Sequence, residues 1–133
     1  MGVAENKQVI LDFYEAGAQG DMDRCFALLA DHVTWTNIGT TRFSGTYVGK
    51  RAIAEDLLGP LFGNLKAGIA SKIEQLTAEG DIVVAQTSGT AETLDGKSYN
   101  NTYCQVIKVS DGKIAAVKEY MDTALIDSVF GID

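Results

Sequence analysis

The residues best equipped for chemistry crowd one stretch near the C-terminus, SYNNTYCQVIKVSDGKIAAVKEYMDT, spanning Ser98 to Thr123. The candidates within it are two amides, an amine, two phenols and a carboxylate: Asn101, Tyr103, Gln105, Lys118, Tyr120 and Asp122. Such a set suits proton transfer beside a carbonyl group, with a carboxyl as acid/base and hydroxyls or amides holding the oxygen. Asp122 is the acid/base candidate, because partial burial beside tyrosines raises a carboxyl pKa toward neutrality. It is equally placed to N-cap a helical turn over Thr123-Ala124-Leu125-Ile126. Tyr103 and Tyr120 can orient a carbonyl or enol oxygen, or form a plain cross-strand packing pair. Lys118 can pair with Asp122 or reach solvent.

Two strands and a tight turn must position these groups. Asp111-Gly112 separates two runs rich in β-branched and aromatic residues and suits a type I′ turn, in which both central residues take positive φ. With Ser110 opposite Lys113, the pairs run Val109/Ile114, Ile107/Ala116, Gln105/Lys118, Tyr103/Tyr120 and Asn101/Asp122, all on one face. That face grades from apolar near the turn to polar away from it, as a core running into a pocket would. A one-residue slip through a bulge would change these pairings.

The rest of the chain supplies the walls. Val9, Ile10, Phe13, Tyr14 and Gly17 recur at helical spacing, predicting an amphipathic helix over Ala4 to Ala18 that Gly20 stops. Asp21 is a good N-cap for a second helix from Met22 to about Ala30. A strand is expected over Val33 to Ile38 and a short hairpin around Phe43 to Val48. A third helix should start near Lys50 and end at Gly59-Pro60, where a backbone donor is lost. Period-two segments follow at Gly68 to Thr77 and Ile82 to Thr93, ahead of the hairpin. This order predicts a single α+β domain over residues 1–133, a curved antiparallel sheet wrapped around about three N-terminal helices and leaving a one-ended apolar cavity. Trp35 and Asn37 share a strand face and can line that cavity as an apolar wall and a polar anchor, or Trp35 can be simple core.

Composition excludes several classes. The chain has 133 residues, 46% of them hydrophobic, enough for one buried core and too few for two ordinary domains. Its net charge of −7, with no cluster of Lys or Arg, argues against nucleic acid and anionic membranes as partners. No apolar run approaches the roughly 20 residues of a membrane span, and the N-terminus lacks the apolar centre of a signal peptide, so a cytoplasmic location is expected. Cys25 and Cys104 are far apart and outside any Cys-x-x-Cys motif, which gives no framework for disulfides or zinc. With His32 as the only histidine, placed at a helix end, neither a nucleophilic triad nor a metal site can be assembled, and no cofactor is expected.

Three segments, LDFYEAGAQGDMDRCFALLADHVTW, FSGTYVGKRAI and YCQVIKVSDGKIAAVKEYMDT, together resemble the SnoaL-like branch of the nuclear transport factor 2-like superfamily. The resemblance covers nearly the whole chain and implies a conical α+β barrel, usually a homodimer, with an apolar pocket used by polyketide cyclases, ketosteroid isomerases, epoxide hydrolases and binding proteins. It places the pocket aspartate of the cyclases and epoxide hydrolases at Asp122. The arginine and aspartate that epoxide hydrolases also need match Gln86 and Ser88, which disfavours that reaction. The base and acid of the ketosteroid isomerases fall near Thr36 and Gln105, and their tyrosine at Phe13 or Tyr14, which disfavours steroid isomerisation by the usual pair of acids.

The sequence thus supports an acid/base isomerase or cyclase working on a small apolar carbonyl compound through Asp122. It also supports a non-catalytic protein that holds a small apolar ligand, and a module whose sheet builds a homodimer. The face opposite the pocket, with Thr102, Cys104, Val106, Ala115, Val117 and Met121, is the expected dimer surface.

Overall fold

The structure is a computed structural model that describes residues 2–132. Helix α1 (Val3–Ala18) buries Val9 and Ile10, and half-buries Phe13 and Tyr14, along the stripe that helical spacing predicts. The side chain of Asp21 caps α2 (Met22–Ala27), accepting from the Arg24 amide at 3.1 Å. This helix is shorter than expected, because the chain enters strand β1 (Leu29–Asn37) directly after Leu28. Strand β2 (Gly45–Val48) folds back antiparallel on β1, pairing Trp35 with Tyr47.

The third helix does not end at Pro60. It runs as α3 (Lys50–Ala52), a π-helical segment (Ile53–Leu58) and α4 (Gly59–Phe62). Gly59 donates to the carbonyl of Ala54, five residues back, and Gly63 returns to the four-residue spacing by donating to Gly59. Pro60, which has no amide to donate, sits where the ladder changes spacing, so the helix continues past it.

Strands β3 (Ala70–Glu79), β4 (Ile82–Thr90), β5 (Asn101–Ser110) and β6 (Lys113–Met121) form an antiparallel meander, and α5 (Thr123–Phe130) follows. The sheet has six strands in the order β2-β1-β6-β5-β4-β3. The expected α+β architecture is therefore present, with two differences: β1 pairs parallel to β6, and the sheet stays open between β2 and β3. The main core joins α1 to the sheet through Val9, Ile10, Leu29, Val83, Ile107 and Ile114. Burying each of these side chains contributes about 1.5–3 kcal/mol. A second cluster, Phe43, Leu57, Tyr99 and Ile126, closes the other end, with Phe130 packed edge-on against Phe43 and Tyr99. The cavity lies between the two.

The β5–β6 hairpin begins as predicted. Asp111 and Gly112 both have positive φ (52° and 76°), and Ser110 faces Lys113 and Val109 faces Ile114. Ala115 is then bulged out, so Lys108 faces Ala116, Ile107 faces Val117, Gln105 faces Glu119 and Tyr103 faces Met121. Beyond Val109/Ile114 the expected register is off by one. Every residue of β6 past the bulge therefore projects from the face opposite to the one expected.

Candidate functional site

A cavity of about 690 Å³ opens between the concave face of the sheet and the helices. Most of its wall is apolar, including Phe13, Phe26, Trp35, Leu57, Ile69 and Met121. It continues into a shallower hollow of about 460 Å³, with which it shares Met22, Phe26, Leu58 and Phe62. The polar side chains that reach the cavity are few: Tyr14, Asn37, Ser71, Thr87, Tyr99, Tyr103, Gln105 and Glu119. Among the described residues no Lys, Arg or His lines it, and Glu119 is its one carboxyl group.

Glu119 sits near the C-terminal end of β6, opposite Gln105 on β5 and Asn37 on β1. Burial pushes its pKa from 4.5 up to about 7, and the hydrogen bond from the Gln105 amide opposes that rise. Gln105 Nε2 donates to Glu119 Oε2, while Gln105 Oε1 accepts from the Tyr14 hydroxyl. Burial, and then the charge of Glu119, hold Tyr14 well above the usual phenol range. Tyr103 is raised in the same way by burial and by its neighbour Tyr99, whose hydroxyl lies 3.1 Å away. Asn101 Nδ2 also donates to the Tyr99 oxygen, at 3.1 Å. With that amide in place, the two hydroxyls share one bond between them, so one of their two protons is left to point at a cavity occupant.

The geometry sorts the sequence candidates. Tyr14, Trp35, Asn37, Tyr103 and Gln105 come together in the cavity wall. Trp35 Nε1 donates to Asn37 Oδ1 at 3.1 Å, and Asn37 Nδ2 to the Phe43 carbonyl at 3.1 Å, so the indole presents an apolar surface with its polar edge already satisfied. Asn101 is buried outside the wall. Its side chain accepts from the Asp122 amide and donates to the Asp122 carbonyl, fastening the end of β6 to the start of β5.

Lys118, Tyr120 and Asp122 stand elsewhere. The bulge turns Lys118 and Tyr120 to the convex face, where both are exposed and the ammonium lies 5.6 Å from the phenol ring centre. Asp122 is exposed beyond the last β6 residue and its carboxylate caps α5, accepting from the Leu125 amide at 3.2 Å. Glu119, Tyr99 and Thr87 are cavity residues that the sequence reading passed over. A signal for Glu119 was present: beyond the bulge the inward set becomes Val117, Glu119 and Met121, more apolar than Ala116, Lys118 and Tyr120. Gln86 is exposed and Ser88 bonds Glu74, so on β4 it is Thr87 that reaches the cavity. Thr36 bonds Thr46 across β2.

A profile of the SnoaL-like domain family matches residues 10–117, and the chain belongs to that family. No curated protein matches the sequence. Solved structures share the fold. A nuclear transport factor 2-like protein of unknown function from Burkholderia pseudomallei superposes with a TM-score of 0.85 at 19% identity, covering 97% of this chain and 98% of its own. TerC, co-crystallised with polyporic acid, gives a TM-score of 0.83 at 20% identity, covering 94% of this chain and 97% of its own. An epoxide hydrolase of M. tuberculosis gives 0.77 at 23% identity, covering 98% of this chain and 90% of its own. These likenesses establish the nuclear transport factor 2-like fold. No described helix is long and apolar enough to cross a membrane.

Proposed function

We propose that the protein is a cofactor-independent isomerase or cyclase for a small apolar carbonyl compound, with Glu119 in the acid/base role that the sequence reading gave to Asp122. The observation that carries this is a lone carboxyl group in an apolar cavity, its pKa pushed to about 7. A base poised near the operating pH is substantially ionised and still returns its proton readily. The Glu119 carboxylate removes a proton from the carbon beside the substrate carbonyl, and the electron pair of that C–H bond moves into the enolate. The free proton of the Tyr99/Tyr103 pair bonds the enolate oxygen. Glu119 then returns its proton to a different carbon, or the enolate carbon adds to a second carbonyl carbon of the same molecule, closing a ring as that C=O π pair moves onto its oxygen, which takes up the Glu119 proton.

The test is deuterium uptake. Incubating the protein in D₂O with a panel of apolar ketones should give exchange beside the carbonyl, and Glu119→Gln should abolish it while the ketones still bind. Exchange undiminished in Glu119→Gln removes the proposal. Binding without exchange for every ketone leaves the non-catalytic ligand carrier, a reading favoured by the apolar walls.

The partner we propose is a second copy of the chain. The centre of the convex face of the sheet carries Val84, Cys104, Val106 and Ala116, all half-buried. Thr102, Cys104 and Val106 remain in the expected dimer surface, whereas Val117 is buried in the core and Met121 lines the cavity.

A further inference from the structure

Three side chains from three elements form a directed chain of hydrogen bonds ending on Glu119. Tyr14, from α1, donates to Gln105 Oε1 on β5, and Gln105 Nε2 donates to Glu119 Oε2 on β6. Gln105 is almost wholly buried, at 5% exposure, so water cannot replace these partners freely.

We propose that Gln105 is a positioning residue: anchored by Tyr14, its amide occupies Glu119 Oε2 and leaves Oε1 as the one oxygen that exchanges a proton with the substrate. This rests on the reading of Glu119 as the acid/base. An N–H donor facing Oε2 leaves no room for a proton there, because two donors would confront each other. The neutral acid must therefore carry its proton on Oε1. Reversing the amide would set its oxygen against the carboxylate and leave the Tyr14 proton without an acceptor in a buried place. In the reaction, the substrate C–H bond breaks, an O–H bond forms at Oε1, and the electron pair enters the carbonyl system; the return step reverses this at the same oxygen.

The groups that face Glu119 are Tyr14 from α1, Asn37 from β1, Tyr103 and Gln105 from β5, and Tyr99 just before β5. None of these is a cation, and Lys118, its neighbour on β6, projects from the other face. The Gln105 amide is thus the one directed donor that favours the anion.

The experiment follows the labelled carboxyl carbon of Glu119 by NMR against pH, with no substrate present, in the wild type, Gln105→Leu and Tyr14→Phe. Gln105→Leu should move the midpoint upward by about one pH unit. Deuterium exchange should fall on the order of tenfold in kcat with little change in KM. Tyr14→Phe, which deletes a single hydroxyl and preserves the wall, should move the midpoint in the same direction even if Gln105→Leu fails to fold. In the wild type, one side-chain amide proton of Gln105 should follow the Glu119 titration. An unmoved midpoint in the variant that folds, or amide protons indifferent to the titration, overturns the inference. Because the titration needs no turnover, it stands apart from a failure of Glu119→Gln to abolish exchange, which would instead remove the functional reading.

Discussion

Gln105 lies directly opposite Glu119 across the β5–β6 pair, and its amide Nε2 donates to the carboxylate Oε2. The contact joins a strand position that sequence alone placed in the pocket to one that it did not. It exists because Ala115 is bulged out, which rotates Glu119 inward and Lys118 outward. Acidity in the cavity is thus a product of backbone geometry.

Stability should fall as pH rises past the ordinary glutamate range. Glu119 is raised in the folded state from 4.5 to about 7, so below pH 4.5 both folded and unfolded chains carry its proton and burial costs nothing. Between those values the unfolded chain ionises first. Above about pH 7 the full penalty applies, on the order of 3 kcal/mol. Urea unfolding at pH 4 and pH 8 should show Glu119→Gln close to the wild type at the lower pH and more stable at the higher. Parallel behaviour at both would count against a buried carboxyl.

Removing the cap on α5 should weaken the fold without touching the cavity. Asp122→Ala should cost about 1 kcal/mol, the usual loss for a capping carboxylate, with the Glu119 midpoint unchanged. Asn101→Ala should cost more, about 3 kcal/mol, since it deletes a buried amide that bonds both the N–H and the carbonyl of Asp122. Chemical denaturation ranks the two.

Gly89 leaves room for the cavity wall. A Cβ there would stand 2.7 Å from Ile69 Cγ2 and 3.2 Å from Tyr103 Cε2. Gly89→Ala must displace one of them, at about 1–3 kcal/mol. An apolar fluorescent probe titrated into the cavity should bind more weakly in this variant, and an unchanged affinity would show that the Tyr103 side of the cavity absorbs the methyl group.

Dimer formation through the convex face predicts a mass twice that of the chain in light scattering at micromolar concentration. Val106→Lys puts a charge at the centre of that face and should shift the protein to monomer. A monomeric wild type removes the interface.

Local chemistry made most of the fold legible. The helical stripe of α1, the Asp21 cap and the Asp111-Gly112 turn each depend on near neighbours, and the structure has them. Other features depend on distant contacts. The parallel pairing of β1 with β6 joins segments about eighty positions apart, and no residue type announces it. The passage of a helix through Pro60 needs a five-residue hydrogen bond that composition does not encode. The bulge was hidden because Ala115 and Ala116 are alike: either can face the core, so the alternation of large and small residues gives no warning of which is skipped. Lys118 facing a cavity wall was the one sign of a misplaced phase. For the site, Tyr14, Trp35, Asn37, Tyr103 and Gln105 were readable from their strands and helix, while Glu119, Tyr99 and Thr87 needed the true register or the fold.

The extra residue at Ala115 also governs how this chain can be compared with, or derived from, another. A chain with the same residues but a regular ladder at Ala115 would pair Gln105 with Lys118 and show its cavity Lys118 and Tyr120 in place of Glu119 and Met121, an amine where this protein has an acid. Loss of the bulge with the residue retained would thus reverse the charge of the chamber with no substitution at all, whereas deletion of Ala115 would leave Glu119 opposite Gln105. Against a relative that lacks the bulged residue, placing the gap in the Asp111-Gly112 turn instead of at Ala115 would equate residues on opposite sides of the sheet only over the short run between the turn and the bulge.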